Sequence, residues 1–281
     1  MSNVEVTFVV LGMLFGLMAM GLPIFITLGV SSLVGIVLHQ GVGGLSAVTG
    51  VMYDRMSTFT LVAVPLFIVM GEIIFVSGLG SDIYRAIRIS LRKIRGSLAL
   101  ASIGACAIFG AMCGVSLAGA ATIGKFAIPE MLRAGYDKRI ATGVVASAGS
   151  LALLIPPSVG LILYGLVAGQ SVGTLFIAAV IPGIIIALMM MAYIVILGWF
   201  KPESMPTVEL ADLEKDQADA GNPWIVTFPA LMLVFAVLGS IYFGIATPTE
   251  SAAIGCVGSL LIAAYKRKLD FATLRHIIRE S

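Results

Sequence analysis

No charged residue occurs between Ser97 and Gly124, and the apolar character of the chain continues to Leu132. As one helix rising about 1.5 Å per residue, Ser97 to Leu132 would run to roughly 54 Å, against a hydrocarbon core of about 30 Å. A single straight crossing is too long. Arg92, Lys93 and Arg95 precede the stretch and Arg133, Lys138 and Arg139 follow it, and positive charge near segment ends marks the cytoplasmic face. Both ends then lie on one side, so the segment turns back within the membrane. In CGVSLAGAATIG, Cys113 to Gly124, the run Cys113-Gly114-Val115-Ser116 holds the small residues and the glycine that permit the turn. Residues 97–132 are read as a re-entrant hairpin, with Gly96 and Arg133 on the same, cytoplasmic side and the amino terminus outside.

A second break lies in SAGSLALLIPPS, Ser147 to Ser158. Pro156 and Pro157 lack the amide that would bond a carbonyl four residues earlier, which predicts that the carbonyls of Ala152 and Leu153 lose their partners and that Ile155 leaves helical geometry. Such oxygens suit a cation. The helix restarting near Ser158 offers amides and a positive dipole end, which suits an anionic group. Half-helices meeting near the midplane are how many secondary transporters build their sites. A lone proline is more simply a kink satisfied by neighbouring helices, but a double proline facing a re-entrant hairpin favours the transport site.

Composition bounds the rest. Hydrophobic residues make up 59% of the 281 and charged residues 11%, outside the range of soluble domains, so the chain reads as an all-α polytopic membrane protein in a lipid bilayer. The net charge of +2 gives no nucleic-acid footprint, because the basic residues gather at segment ends. Cys106, Cys113 and Cys256 stand in apolar stretches without metal or disulfide spacing. No cleavable signal is expected, since the first apolar stretch lacks a basic start and a small-residue cleavage site.

Along the chain, Gly21-Leu22-Pro23 divides two helices, about Val4–Met20 and Pro23–Leu38, with His39 as a solvated helix end. A third, Thr58–Ser77, contains Glu72. An acid in a membrane segment is a functional candidate, but Glu72 is near the cytoplasmic end, where snorkelling or pairing with an arm arginine is the simpler fate. Together, residues 1–80 form scaffold helices 1–3. In SDIYRAIRISLRKIRG, residues 81–96, Ile83, Ile87 and Leu91 recur every four residues with most arginines off that face, which predicts an interfacial amphipathic arm helix. Residues 97–170 form a transport domain, the hairpin plus a broken helix over 138–169. A transmembrane helix, 171–200, and a cytoplasmic loop, 201–222, follow. Residues 223–281 hold the spans Pro223–Ile245 and Pro248–Tyr265. The run from Leu11 resembles the run from Leu231 in its helix, its turn with Gly and Pro, and its second helix of small residues. The first copy starts outside and the second inside, so they form an inverted repeat. The second stops at Ser281, so the chain is expected to be cut short.

GLPIFITLG near the start, VPLFIVMGEII at Val64, FAIPEMLRAGYDKRIATGVVASAGSLALLIPPSVGLILYG from Phe126 and GIATPTESAA at Gly244 together resemble the large membrane (M) subunit, DctM-like, of tripartite ATP-independent periplasmic (TRAP) transporters. The resemblance covers nearly the whole chain. It implies an inverted-repeat, elevator-type, sodium-coupled importer of organic acids with a scaffold and a moving transport domain. It also implies two partners, a small four-helix membrane subunit of the Q type and a periplasmic substrate-binding protein, in the bacterial inner membrane. It implies no cofactor, with sodium as the coupling ion.

The chain departs from the family pattern in two places. Where the first hairpin usually reads SGS followed by Ser or Gly and then Asn or Thr, it has Cys113, Val115 and Gly119, so backbone carbonyls carry more of any coordination. Where Gly-Gly-Thr-Leu-Gly is usual, it has Ala148-Gly149-Ser150-Leu151-Ala152. The sodium shell is expected from Gly114, Ser116, Gly149, Ser150, Ala152, Leu154 and Pro156, largely through the backbone. Ser116, Pro157 and Ser158 are expected to face the substrate carboxylate. A membrane-embedded enzyme would need a nucleophile with its base, an acid pair or a metal cluster, yet the only histidines, His39 and His276, stand at segment ends. A channel is disfavoured because no ring of charge is available to line a pore. The solute, a C4-dicarboxylate or another carboxylate or sulfonate, is not readable from these residues.

Overall fold

Backbone amides in hydrocarbon have no water to bond, so a chain this apolar satisfies them inside helices. No strand occurs among the described residues of the computed structural model, which are 2–206 and 223–269 with Arg275 and Ile277. From residue 207 onward the expected loop lies outside the described residues, as do His276 and most of the end of the 223–281 segment.

The chain divides into two units, Met1–Thr58 and Phe59–Ser281. In the first, α1 (Asn3–Ala19) opens with a capping box in which Ser2 and Glu5 satisfy each other's backbone amides. Gly21, at φ 79°, turns the chain into α2 (Ile24–Gln40), which lies along α1 with His39 in its last turn. Phe8 is 71% and Phe25 75% exposed, as side chains facing acyl chains would be. A further helix, α3 (Leu45–Met56), was not expected. The cluster Gly41, Gly43 and Gly44 before it reads as a loop, and its apolar and polar residues follow no clear helical period.

The second unit opens with a 3-10 turn, Phe59–Val62, leading into α4 (Ala63–Val76). Gly78, at φ 76°, caps α5 (Leu79–Ser90). This helix ends six residues earlier than the sequence suggests. Arg88 and Arg92 would repel across one turn, and Gly96 at φ 81° starts the next helix from a left-handed conformation. The apolar face predicted from Ile83 and Ile87 exists and rests on protein, against α6 (Ser97–Cys113) and α12 (Pro223–Tyr242). Helix α6 is apolar on every side and buried along most of its length, touching α4, α5, α8 (Lys138–Gly149), α9 (Leu151–Leu154), α11 (Val172–Phe200) and its own hairpin partner α7 (Ser116–Arg133). Between α9 and α11 stands α10 (Val159–Ala168), and α13 (Pro248–Tyr265) follows α12 and packs on α4. The pairs α1–α2 and α12–α13 share a left-handed glycine in the turn, Gly21 and Gly244, and a proline at the start of the second helix, Pro23 and Pro248.

Among the described residues, two helical stretches are long and apolar enough to cross a bilayer, Phe59–Val76 and Val172–Phe200, and the pair Lys138–Leu154 with Val159–Ala168, bent by 44°, makes a third; shorter apolar helices include Asn3–Ala19, Ile24–Gln40, Ser97–Cys113 and Thr227–Tyr242. Each leg of the α6–α7 hairpin, at 17 and 18 residues, reaches about 26 Å and turns back within that depth. Single cysteines at Lys93 and Arg133, both exposed, are therefore expected to react with a membrane-impermeant maleimide from the same side. Labelling from opposite sides would show that α6 and α7 cross in series.

Candidate functional site

The hairpin tip is made by two residues. Gly114 ends α6 at φ 65°, where a side chain would be strained, and Val115 is extended, so α7 restarts at Ser116 and runs back against α6. The helix break is made by the prolines. Ile155, preceding them, is extended at φ −83° and ψ 118°, and Ser158 caps α10.

Tip and break meet. The Val159 amide donates to the Gly114 carbonyl at 3.2 Å, joining the hairpin to the first turn of α10. Around this bond the packing leaves no room for side chains. A Cβ on Gly114 would stand 2.8 Å from the Pro157 carbonyl oxygen, one on Gly110 2.7 Å from Ala152 Cα, and one on Gly149 2.5 Å from Ala120 Cβ and 3.2 Å from the Ser116 carbonyl. Each leg of the hairpin thus grips one end of the Gly149–Ala152 segment, as small residues allow where helices pack in lipid.

The expected site residues fall into three groups. Gly114, Ser116, Gly149, Ala152, Pro157 and Ser158 are brought together at the tip. Ser150 is exposed, and its hydroxyl donates to the Ser147 carbonyl at 2.7 Å, leaving its lone pairs open. The carbonyl of Leu154 turns the other way, 3.4 Å from a Cβ placed on Gly183 of α11; Pro156 is buried between these groups. One expectation needs correcting: the carbonyl of Leu153 is not freed by the prolines, because the Ser158 hydroxyl donates to it at 2.8 Å. Ser158 is buried, and its oxygen also accepts from the Leu161 amide at 3.4 Å. Two of the first three amides of α10 therefore have partners inside the protein, one of them the hairpin's own carbonyl. Gly110, Ala120 and Gly183 were not foreseen. The four-residue spacing of Gly110 and Gly114 is the small-residue signal that points to the first of them.

The arm is held by charge. Arg88 of α5 pairs with Glu130 of α7, and Asp82 at the other end of α5 pairs with Lys266 just beyond α13. Glu72 was expected to snorkel or to pair with an arm arginine; among the described residues it forms no ion pair, and α7 presents Glu130 to Arg88 instead. The Tyr84 ring lies 5.4 Å from that of Phe126, and burial raises the phenol pKa of Tyr84 and pushes that of Tyr136 up to about 12.

These features define a helical membrane protein organised on a helical hairpin docked against a broken helix. Residues 11–281 match the family described as "Tripartite ATP-independent periplasmic transporter, DctM component", and the chain belongs to this family of transporter permeases, which are not enzymes. It is 35% identical over 255 residues to the C4-dicarboxylate TRAP transporter large permease protein DctM of Vibrio cholerae, covering 90% of this chain and 54% of that protein. It is 30% identical to the ectoine TRAP transporter large permease protein TeaC of Halomonas elongata, covering 96% and 61%. The isethionate TRAP transporter permease protein DctMQ of Oleidesulfovibrio alaskensis is 34% identical, covering 91% and 40%. The chain spans about half the length of these relatives.

Proposed function

We propose that this chain forms part of a secondary active, sodium-coupled uptake system of the bacterial inner membrane. The system takes up an organic acid anion, a C4-dicarboxylate or another carboxylate or sulfonate, delivered by a periplasmic binding protein, and acts with a small four-helix membrane subunit. The observation that carries this reading is the bond from the Val159 amide to the Gly114 carbonyl at 3.2 Å, which joins two interrupted helices where lipid-embedded backbone is otherwise uninterrupted. The names of the relatives support it, although their solutes differ: C4-dicarboxylates, ectoine and isethionate.

Sodium, a hard cation, takes oxygen. Ser116, Ser150 and the carbonyls of Gly114, Gly149, Ala152 and Pro156 are the donors proposed for it as a co-substrate, the Leu154 carbonyl being turned toward α11, and the start of α10, from Pro157 and Ser158, is the positive end proposed for the anion. The hairpin and the broken helix would move as one block in an elevator stroke, with α5 as the arm that transmits it. The first two helices and α12–α13 would be the corresponding members of an inverted repeat. In the complete, assembled transporter, Ser150→Ala should raise the sodium concentration for half-maximal uptake severalfold while expression is unchanged, since the Ser147 carbonyl loses only an exposed partner. If neither Ser116→Ala nor Ser150→Ala alters sodium dependence in well-expressed protein, the ligands lie elsewhere.

A further inference from the structure

Helix α6 floors a cleft between α8 and α11, where Ile103 forms the base and Arg139, Gly143, Ser147, Met189 and Tyr193 line the walls. Its volume is about 630 Å³. The lining runs from Arg139 to Ser147 on α8 and from Ile186 to Leu197 on α11, about 12 Å and about 16 Å along the two helices. That is the depth of one leaflet, about half of a hydrocarbon core of about 30 Å. The walls are apolar over most of this length, and Met189 and Tyr193 are 67% and 63% exposed. The charge is at one end only. Arg139 stands at the mouth, in the first turn of α8, where its backbone amide donates to the Asp137 carboxylate at 2.7 Å. Among the described residues its guanidinium has no ion-pair partner. A second basic residue, Arg95, lies beside Gly198, one turn beyond Ile194 on the same end of α11.

We infer that this cleft binds an anionic phospholipid, with one acyl chain lying between α8 and α11 over Ile103 and the phosphate at Arg139. The apolar lining, running the depth of one leaflet from a basic mouth over Ile103, suits an acyl chain. Charge selects the headgroup, since basic pockets at the membrane surface between helices capture anionic lipid heads. Such a lipid would sit against the helix that carries Gly149 and Ser150 at its inner end, and its binding does not depend on which solute is moved.

Gly143 supplies the steric test, because a Cβ built on it meets nothing within 4 Å and a larger side chain there enters the cleft without disturbing the helix. Native mass spectrometry of the detergent-solubilised chain, titrated with phosphatidylglycerol or phosphatidylcholine, should show phosphatidylglycerol adducts in preference. Arg139→Gln should weaken phosphatidylglycerol binding by about fivefold and leave phosphatidylcholine binding unchanged. Gly143→Phe should remove both adducts while circular dichroism matches the parent. Equal binding of the two lipids by the parent, or unchanged phosphatidylglycerol binding by both variants, would overturn the assignment. So would a dimer that Gly143→Phe dissociates, since a second copy would then be the occupant.

Discussion

Gly114→Ala is expected to destabilise the chain by about 3–4 kcal/mol, a loss visible as a large drop in the midpoint of thermal unfolding in detergent. Two costs add at this position. A side chain at φ 65° meets its own backbone at about 1–2 kcal/mol. The new methyl would also lie 2.8 Å from the Pro157 carbonyl oxygen and 3.3 Å from the Val159 amide nitrogen, both backbone atoms that cannot rotate away, and overpacking of this kind costs about 1–3 kcal/mol. Relief comes only by lifting the tip off the break, which breaks the bond between the Gly114 carbonyl and Val159. Gly12→Ala is the control, since its Cβ meets nothing within 4 Å and its backbone is helical; it should be no less stable than the parent, because alanine favours a helix interior over glycine by about 0.5–1 kcal/mol. A Gly114→Ala protein as stable as the control would mean that tip and break are not docked.

Removing either member of the Arg88–Glu130 pair should cost about 2–3 kcal/mol, and removing both should cost clearly less than the sum. The side chains are only 11% and 27% exposed, so a single truncation leaves a charge with little water to solvate it, the situation in which buried pairs show their largest losses. The double-mutant cycle of Arg88→Ala and Glu130→Ala, followed by chemical unfolding, should give a coupling of about 1 kcal/mol or more. Additive losses would mean that the two groups do not meet. The Asp82–Lys266 pair, at 22% and 19% exposed, ties the other end of α5 to a different element, so its cycle should be independent of the first. The arm would then be fastened separately to the hairpin and to the end of α13.

The two breaks were legible because they are covalent or compositional facts. Proline has no amide to donate wherever it stands, and a glycine among small residues lowers the cost of a turn in any context. The hairpin was legible from arithmetic, since an apolar run too long for one crossing carries basic residues at both ends. Helix α3 was obscured because the glycines before it read as a loop.

Identity at a distance was harder to foresee. Local chemistry says that Pro156 and Pro157 orphan a carbonyl, but only the folded backbone brings the Ser158 hydroxyl back to Leu153. Charge counting leaves Glu72 either snorkelling or paired with an arginine of the arm, and only the packing of α7 across α5 shows that Glu130 takes Arg88. A four-residue apolar spacing establishes that α5 has a greasy face and is silent on whether lipid or protein covers it; α6 and α12 decide that. Periodicity, charge and imino chemistry act within a few residues, so they determine helices and breaks from the chain alone. Contacts between residues far apart in sequence depend on how helices rotate and approach, and close approach at Gly110, Gly114 and Gly149 exists only once α6, α7 and the broken helix have packed together.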